Sequence, residues 1–365
     1  MPSEKPNVPK RLQVGVVGIG RMGRRHAMNI LHEVPRATLL CACSPAEADF
    51  VWADEHLVPH GVHVVPTFEE MIETPGLEAI IIASATHLHT SQTMAARKKA
   101  YMCSARSQSA NLWTRSLVAL VDKVEANPQA KLMVGFVRRF NTNYQQAMEQ
   151  ISGNKIGRPV VIRSQGCEPL DESDYYKQYL RDSGGIFVDS IIHDIDLSLF
   201  FFGEDSRPKS VTAIGVAAVH QEIEAHGDAD NGVGICEFRD GKIAFFYNSR
   251  TTAHGYDNAT KIFGTRGKLS INLIPRHNAL ELCDKDGFVK TFAHPGWYDR
   301  YASAFVGEAK AWVDALLDGK PVPVPLRSSL TSLKITTALQ LSLRTDQKIF
   351  FNKQGVQLDH QPSVI

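Results

Sequence analysis

Short, wholly apolar runs alternate with stretches of helical periodicity along the first part of the chain. Residues 12–17 and 79–83 are apolar and rich in β-branched side chains, the pattern of strands buried on both faces. Further strands are expected at 38–43, 62–65, 100–103 and 131–136. Helical stretches fall between them at 24–33, 67–73, 91–99 and 112–126. This alternation predicts an α/β domain over 12–140, a doubly wound parallel sheet. Past residue 140 the texture changes. A helix at 143–152 and a strand at 160–165 lead to strand-like runs at 210–219, 232–238, 242–249, 260–263, 268–273 and 279–282. Arg239-Asp240-Gly241-Lys242 and Lys285-Asp286-Gly287 are turn signals between antiparallel partners. A second, α+β domain over 141–325 with an open, predominantly antiparallel sheet follows. One face of such a sheet needs a cover, so self-association as a homodimer or homotetramer is expected there. Helices are expected at 301–317 and 328–345, with 326–365 packing back on the first domain. Residues 1–11, with their prolines and charges, read as a disordered lead-in.

The stretch 183–196 stands out from this pattern. Two glycines open it, and an apolar run carrying three acids and one histidine follows. If 188–201 is one helix, Asp189, His193 and Asp196 fall at i, i+4 and i+7, on one face. Ile186, Val188, Ile191, Ile192, Ile195, Leu197 and Leu199 cover most of the rest, which predicts burial. Buried acids and imidazoles need partners. A carboxylate one turn away can orient a ring and tune its basicity. A satisfied core histidine and an acid/base role are both open on this pattern alone. No further His/Asp/Glu cluster completes a metal shell, so no metal is expected.

Composition narrows the function classes. The chain has 365 residues, 43% hydrophobic and 22% charged, with a net charge of +1. That charge offers no bulk field for nucleic acid or an anionic membrane. No run approaches the ~20 apolar residues of a membrane span. The six cysteines are scattered without a CxxC pair, which fits a reduced, cytoplasmic protein.

The first strand runs into Gly18-Ile19-Gly20-Arg21-Met22-Gly23 and then a helix. Strand, glycines and helix in this order are the context a dinucleotide fingerprint requires. Gly18 permits the turn, Gly20 the approach of a pyrophosphate, and Gly23 the packing of helix on strand. The second strand ends at Ser44, where an NAD-binding fold usually places an acid. Serine does not repel a 2′-phosphate, and Arg21 or Arg24 could neutralise one, which favours NADP(H) over NAD(H). Ser44 as a plain turn residue, with Glu47 in the acid's place, is the other reading. The loop Ser84-Ala85-Thr86-His87-Leu88-His89 ends the central strand, where α/β ligands bind. His87 and His89 either line the nicotinamide side or are polar loop residues. Arg138-Arg139 is either an anion site or a pair of surface charges.

These residues resemble the glucose-fructose oxidoreductase/inositol dehydrogenase (Gfo/Idh/MocA) family over nearly the whole chain, most of all its myo-inositol 2-dehydrogenases. The resemblance rests on Val14–Gly23, 135–140, Ser183–Asp196, 256–267 and 301–323. The spacing Ser183-Gly184-Gly185-Ile186-Phe187-x-Asp189-x3-His193-Asp194-x-Asp196 is its specific part. It implies a Rossmann domain, an open sheet used for oligomers, and nicotinamide-dependent oxidation of a sugar or cyclitol hydroxyl. It puts His193 on the acid/base, Asp189 on its acidic neighbour and Tyr256 on the substrate side; Arg139 and Glu168 join Asp189, His193 and Tyr256 as substrate-side candidates. The candidate cofactor set is Gly18, Ile19, Gly20, Arg21, Met22, Gly23, Ser44, Ser84, Ala85, Thr86, His89 and Ser104. One departure is marked: Ser104-Ala105-Arg106-Ser107 stands where the family carries Cys-Glu-Lys-Pro. Arg106 keeps the charge of the family's lysine but does not release a proton at working pH. Gly166-Cys167-Glu168-Pro169 also departs from the Ser-Arg-Asp-Pro that inositol dehydrogenases carry. Three functions remain in view. The first is an NAD(P)-dependent oxidoreductase of a polyol, cyclitol or sugar, with His193, Asp189 and Arg106 in its catalytic set. The others are a non-redox lyase or isomerase on the same scaffold, and a catalytically impaired regulator that binds cofactor.

Overall fold

The computed structural model describes residues 10–85, 88–95, 100–104, 121, 131–273, 282–283, 289–290 and 293–358. The expected helix at 112–126, the 285–287 turn and the lead-in lie outside the described residues, Lys10, Arg11 and Val121 apart. The first part runs β1 Leu12–Val17, α1 Arg21–Glu33, β2 Ala37–Cys43, α2 Glu47–His56, β3 His63–Val65, α3 Phe68–Ile72, β4 Ala79–Ile82, α4 His89–Ala95, β5 Ala100–Ser104 and β6 Leu132–Gly135. All six strands are parallel, in the order β3-β2-β1-β4-β5-β6. Val14, Val16, Ile80 and Ile81 are fully buried at its centre. Each such side chain contributes about 1.5–3 kcal/mol relative to exposure. The order reverses direction between β1 and β4, and ligands of such sheets bind outside the strand ends at that switch point.

The second part continues with α5 Thr142–Ser152, β7 Pro159–Pro169, α6 Asp174–Asp182, α7 Ile186–Asp189, α8 Ile192–Phe202, β8 Pro208–Val216, β9 Asn231–Phe238, β10 Ile243–Thr252, β11 Asp257–Gly264 and β12 Lys268–Ile271. It ends with β13 Leu282–Cys283, β14 Val289–Lys290, α9 Trp297–Leu317, α10 Leu326–Thr345 and β15 Ile349–Phe350. Seven strands form one sheet in the order β12-β11-β7-β10-β9-β8-β15. Every pair is antiparallel except β7 with β10. Glycines make room for helices on one face. A Cβ at Gly232 would meet Ile186 and Phe187, and one at Gly234 would meet Phe187 and Leu339.

The chain divides into two compact units, the first holding β1 to β6 with Phe305–Leu326, the second Phe136–Ala304 with Arg327–Ile365. This differs from the expected division. The last helix was expected on the N-terminal domain, but Ser342 Oγ on α10 accepts the Ala213 N–H of β8 at 3.0 Å. β15 then extends the second sheet at β8. No described helix is long and apolar enough to cross a membrane.

Candidate functional site

In the first unit, the glycine turn is shaped by close backbone approach. Gly18 has φ +82° and donates its N–H to Cys43 O at 2.8 Å; a Cβ there would lie 2.6 Å from Ser84 Cα. At Gly23 a Cβ would lie 1.6 Å from Gly18 O. A Cβ at Gly20 would meet nothing within 4 Å, so the space over the start of α1 is open. Gly20 is the N-cap and no side chain caps the helix. The N–H groups of the first turn, with the positive end of the helix dipole, are suited to an anion, and a dinucleotide pyrophosphate fits this opening. Ile19 is fully buried beneath it, and Arg21 is exposed.

The 2′-side does not have the arrangement that favours NADP(H). Ser44 is buried and donates its hydroxyl to Asp49 Oδ2 at 2.6 Å. Arg24 Nη2 pairs with Asp49 Oδ1 at 2.8 Å, its Nε bonds Ile19 O, and its guanidinium lies over the Trp52 ring at 4.9 Å. Asp49 therefore holds both groups that were expected to receive a phosphate. An acid does stand near Ser44, but it is Asp49, five residues on, that meets the serine hydroxyl. Beyond β4, Ser84 Oγ bonds Gln92 Oε1 at 2.6 Å and His89 Nε2 meets Ser84 O at 2.9 Å. His89 is thus a buried loop tie, 2% exposed. Ser104 ends β5, where its backbone pairs with Gly135. Thr86, His87, Ala105, Arg106 and Ser107 lie outside the described residues.

In the second unit, the stretch 183–196 is two helices rather than one. Gly184 and Gly185 have φ +86° and +110°, and a Cβ at Gly185 would lie 2.3 Å from the Gln340 side chain. α7 ends at Asp189. The Ile191 N–H then reaches back five residues to Ile186 O at 3.2 Å, before α8 resumes. A widened turn of this kind breaks the i, i+4 relation and is common at functional sites. Asp189, at the end of α7, has partners outside these two helices. Its carboxylate accepts the Tyr179 hydroxyl and lies 3.5 Å from Arg250 Nη2. His193 is half-buried, with Phe136 edge-on to its ring at 6.0 Å.

The neighbouring acids are structural. Arg138 Nη1 pairs with Asp194 at 2.7 Å, and Ser164 Oγ donates to the same carboxylate at 2.6 Å. Arg139 makes a fork to Asp196, 2.7 Å on each arm, and also bonds Glu204 and Ser328. Arg139 is 4% exposed, so its donors are spent inside the fold and it is not a substrate ligand. Neither arginine is a surface charge or an open anion site. Together they bolt α8 to the 137–140 turn and to β7.

Glu168, half-buried on β7, and Tyr256 share one neighbourhood. Burial pushes the Tyr256 hydroxyl well above its usual range, the Arg138 charge opposes this, and Glu168 adds to it. Tyr256 is 3% exposed and packs edge-on to Tyr301 at 6.3 Å. Burial likewise raises Tyr176, where Glu168, Arg250 and Asp189 all act on the hydroxyl. Asp189, Glu168, Tyr176, Tyr179 and Arg250 thus form a polar cluster beside the His193 helix. Tyr176, Tyr179, Arg250 and Asp49 were not anticipated. The i, i+3 spacing of Tyr176 and Tyr179 behind Ser173, the N-cap of α6, was the available signal for two of them. Arg250 closing the strand Phe245-Phe246-Tyr247-Asn248-Ser249 was the signal for a third.

Comparison with known proteins agrees with this division. The family description "Oxidoreductase family, NAD-binding Rossmann fold" matches residues 12–103, and "GFO/IDH/MocA C-terminal domain" matches 144–270. A myo-inositol 2-dehydrogenase of Thermotoga maritima is 29% identical over 93% of this chain and 98% of its own. A scyllo-inositol 2-dehydrogenase (NAD(+)) of Bacillus subtilis is 27% identical over 96% of this chain and 97% of its own. The crystal structure of a scyllo-inositol dehydrogenase from Lactobacillus casei, with bound NAD(H) and scyllo-inositol, superposes with a TM-score of 0.86. It is 27% identical and covers 93% of this chain and 99% of that one.

Proposed function

The chain belongs to the GFO/IDH/MocA oxidoreductase family, and from that premise we propose that it is an NAD(H)-dependent dehydrogenase of a cyclitol or related polyol. The observation that carries this reading is the likeness, along nearly the full chain, to an enzyme seen with NAD(H) and scyllo-inositol. The open N-terminus of α1 holds the pyrophosphate between Gly20 and Gly23. Asp49 disfavours a 2′-phosphate by charge, and with Ser44 and Arg24 it offers a polar edge for ribose hydroxyls, which supports NAD(H) over the NADP(H) expected from Ser44. The nicotinamide, when bound, supplies the hydride acceptor. His193 takes the hydroxyl proton as the carbinol is oxidised, a task suited to an imidazole near neutral pH. Asp189, fixed by Tyr179 and Arg250, accepts a hydrogen bond from a second hydroxyl of the ring and sets its orientation. Glu168 extends this acceptor wall and favours a substrate with several hydroxyls. Cys41, Cys43, Cys167 and Cys236 are free and buried, which fits the cytoplasmic setting we assign.

The test is a parallel titration with NADH and NADPH, followed by NAD⁺-dependent turnover of myo- and scyllo-inositol. We expect NADH to bind more tightly, and His193→Ala to lower turnover by roughly 10²–10⁴-fold with cofactor binding retained. Saturable binding of neither cofactor would sink the dehydrogenase reading. Binding without turnover of any polyol would favour a cofactor-binding regulator, the reading that Arg106 in the lysine position also allows.

A further inference from the structure

Arg250 is fully buried at the end of β10, and its surroundings differ from those of an ordinary core ion pair. A buried guanidinium is tolerated only with charged and hydrogen-bonded partners. Its Nη1 lies 2.8 Å from Asp228 Oδ2 and 3.3 Å from Ala229 O. Its Nη2 lies 3.3 Å from Ser183 Oγ and 3.5 Å from Asp189 Oδ2. Burial works against the charge, but Asp228 and Asp189 outweigh it and hold the guanidinium protonated.

The two carboxylates are tied to the two ends of one short helix. Asp228 Oδ1 accepts the N–H of Ile186, the first residue of α7, at 2.7 Å. Asp189 is the last residue of α7. One guanidinium therefore clamps the helix at both ends. The charges are also unequal in number, two carboxylates to one cation. Asp228 is the closer and the more buried, its side chain 4% exposed against 12% for Asp189. Asp189 is therefore the more accessible of the two.

We propose that Arg250 is a positioning residue for the reaction: it clamps α7 through Asp228 and Asp189, so that a fixed Asp189 carboxylate is offered to a substrate hydroxyl. This rests on the dehydrogenase reading above. It gives Asp189 an orienting partner on β10. It also explains why the chain spends two left-handed glycines, Gly184 and Gly185, on entering a helix of one turn.

The experiment is a double-mutant cycle on the full-length protein with NAD⁺ and myo- or scyllo-inositol. Arg250→Lys keeps the charge but not the fork, and it is the variant to use because Arg250→Met leaves two buried carboxylates uncompensated. We expect Arg250→Lys to lower kcat/KM roughly tenfold or more, chiefly through KM, with NADH affinity unchanged. If Arg250 acts through Asp189, the Arg250→Lys/Asp189→Asn pair is no worse than Asp189→Asn alone. Losses that multiply, or a KM left unchanged by Arg250→Lys, overturn the proposal. Hydrogen exchange of the free protein provides a second, activity-independent arm. The amides of Val188, Asp189 and Ser190, which bond Gly185 O and Ile186 O, should exchange roughly tenfold faster in Arg250→Lys, the rest of the sheet remaining as in wild type. Unchanged protection there overturns the clamp. Wild-type protein that oxidises no polyol sinks the dehydrogenase reading, and the exchange arm still decides the clamp.

Discussion

At the scale of single residues, the proposed choice of NAD(H) rests on one carboxylate, Asp49. Ser44 was legible as the residue that ends β2, but its hydroxyl is not free to meet a phosphate because Asp49 accepts it at 2.6 Å. Sequence spacing counts positions along the chain. It does not show that the first turn of α2 folds Asp49 back over both Ser44 and Arg24. Asp49→Ala releases both groups and removes the repelling charge. We expect it to improve NADPH binding relative to NADH by roughly tenfold or more, the worth of one charge-assisted hydrogen bond of about 1.5–3 kcal/mol. Paired fluorescence titrations of the variant and wild type measure this. An unchanged NADPH/NADH ratio would show that the 2′-side is set elsewhere. Arg139 teaches the same point at the substrate end. Its position in Val137-Arg138-Arg139-Phe140 says nothing of the fork to Asp196 that consumes it.

At the scale of elements, the stretch 183–196 was recognised as buried and chemically loaded, and that much holds. Ile186, Val188, Ile191 and Ile195 are at most 1% exposed. The break between α7 and α8 was not legible, because apolar residues continue through it without a gap. A hydrogen bond that spans five residues instead of four leaves no mark on such a run, yet it ends α7 at Asp189 and starts a second helix at Ile192. The helix α6 was missed for a different reason: it is short, polar and exposed, with Tyr175 69% exposed. The two glycines were visible, and the structure supplies their reason. Gly185→Ala forces a side chain into φ +110° and onto Gln340, which also accepts the Phe187 N–H. We expect a loss of roughly 1–3 kcal/mol of stability, read as a lower denaturation midpoint. Adding Gln340→Ala relieves the overlap but not the backbone strain, so it recovers only part of the loss. Full recovery would place the whole cost in packing.

At the scale of the whole molecule, the second sheet has one covered and one open face. Ala213, Cys236, Ala244 and Phe246 point to the covered side, under α7, α8 and α10. On the other side Ile214, Val233 and Tyr247 align across β8, β9 and β10, and Thr212, Ile235 and Phe245 form the next row. Ile214 is 65% exposed, and Arg163, Gln165 and Lys261 border a cavity of about 270 Å³ on this face. Strand-like runs parted by the turn at 239–242 made the sheet legible, but not its covered face: on β9, Gly232 and Gly234 face the helices while Val233 and Ile235 lie on the other side. A row of apolar side chains across three strands is costly to leave in water, at roughly 25 cal/mol per Å² of apolar surface. We therefore expect a homo-oligomer that uses this face, and a charge placed at its centre should dissociate it. Phe245→Glu should shift the mass measured by light scattering from dimer or tetramer to monomer at micromolar concentration. Ile262→Val, a conservative change at a buried position of β11, should leave the assembly intact. Wild-type protein that is monomeric at tens of micromolar, or Phe245→Glu protein with unchanged mass, would mean that the face is not the contact between copies.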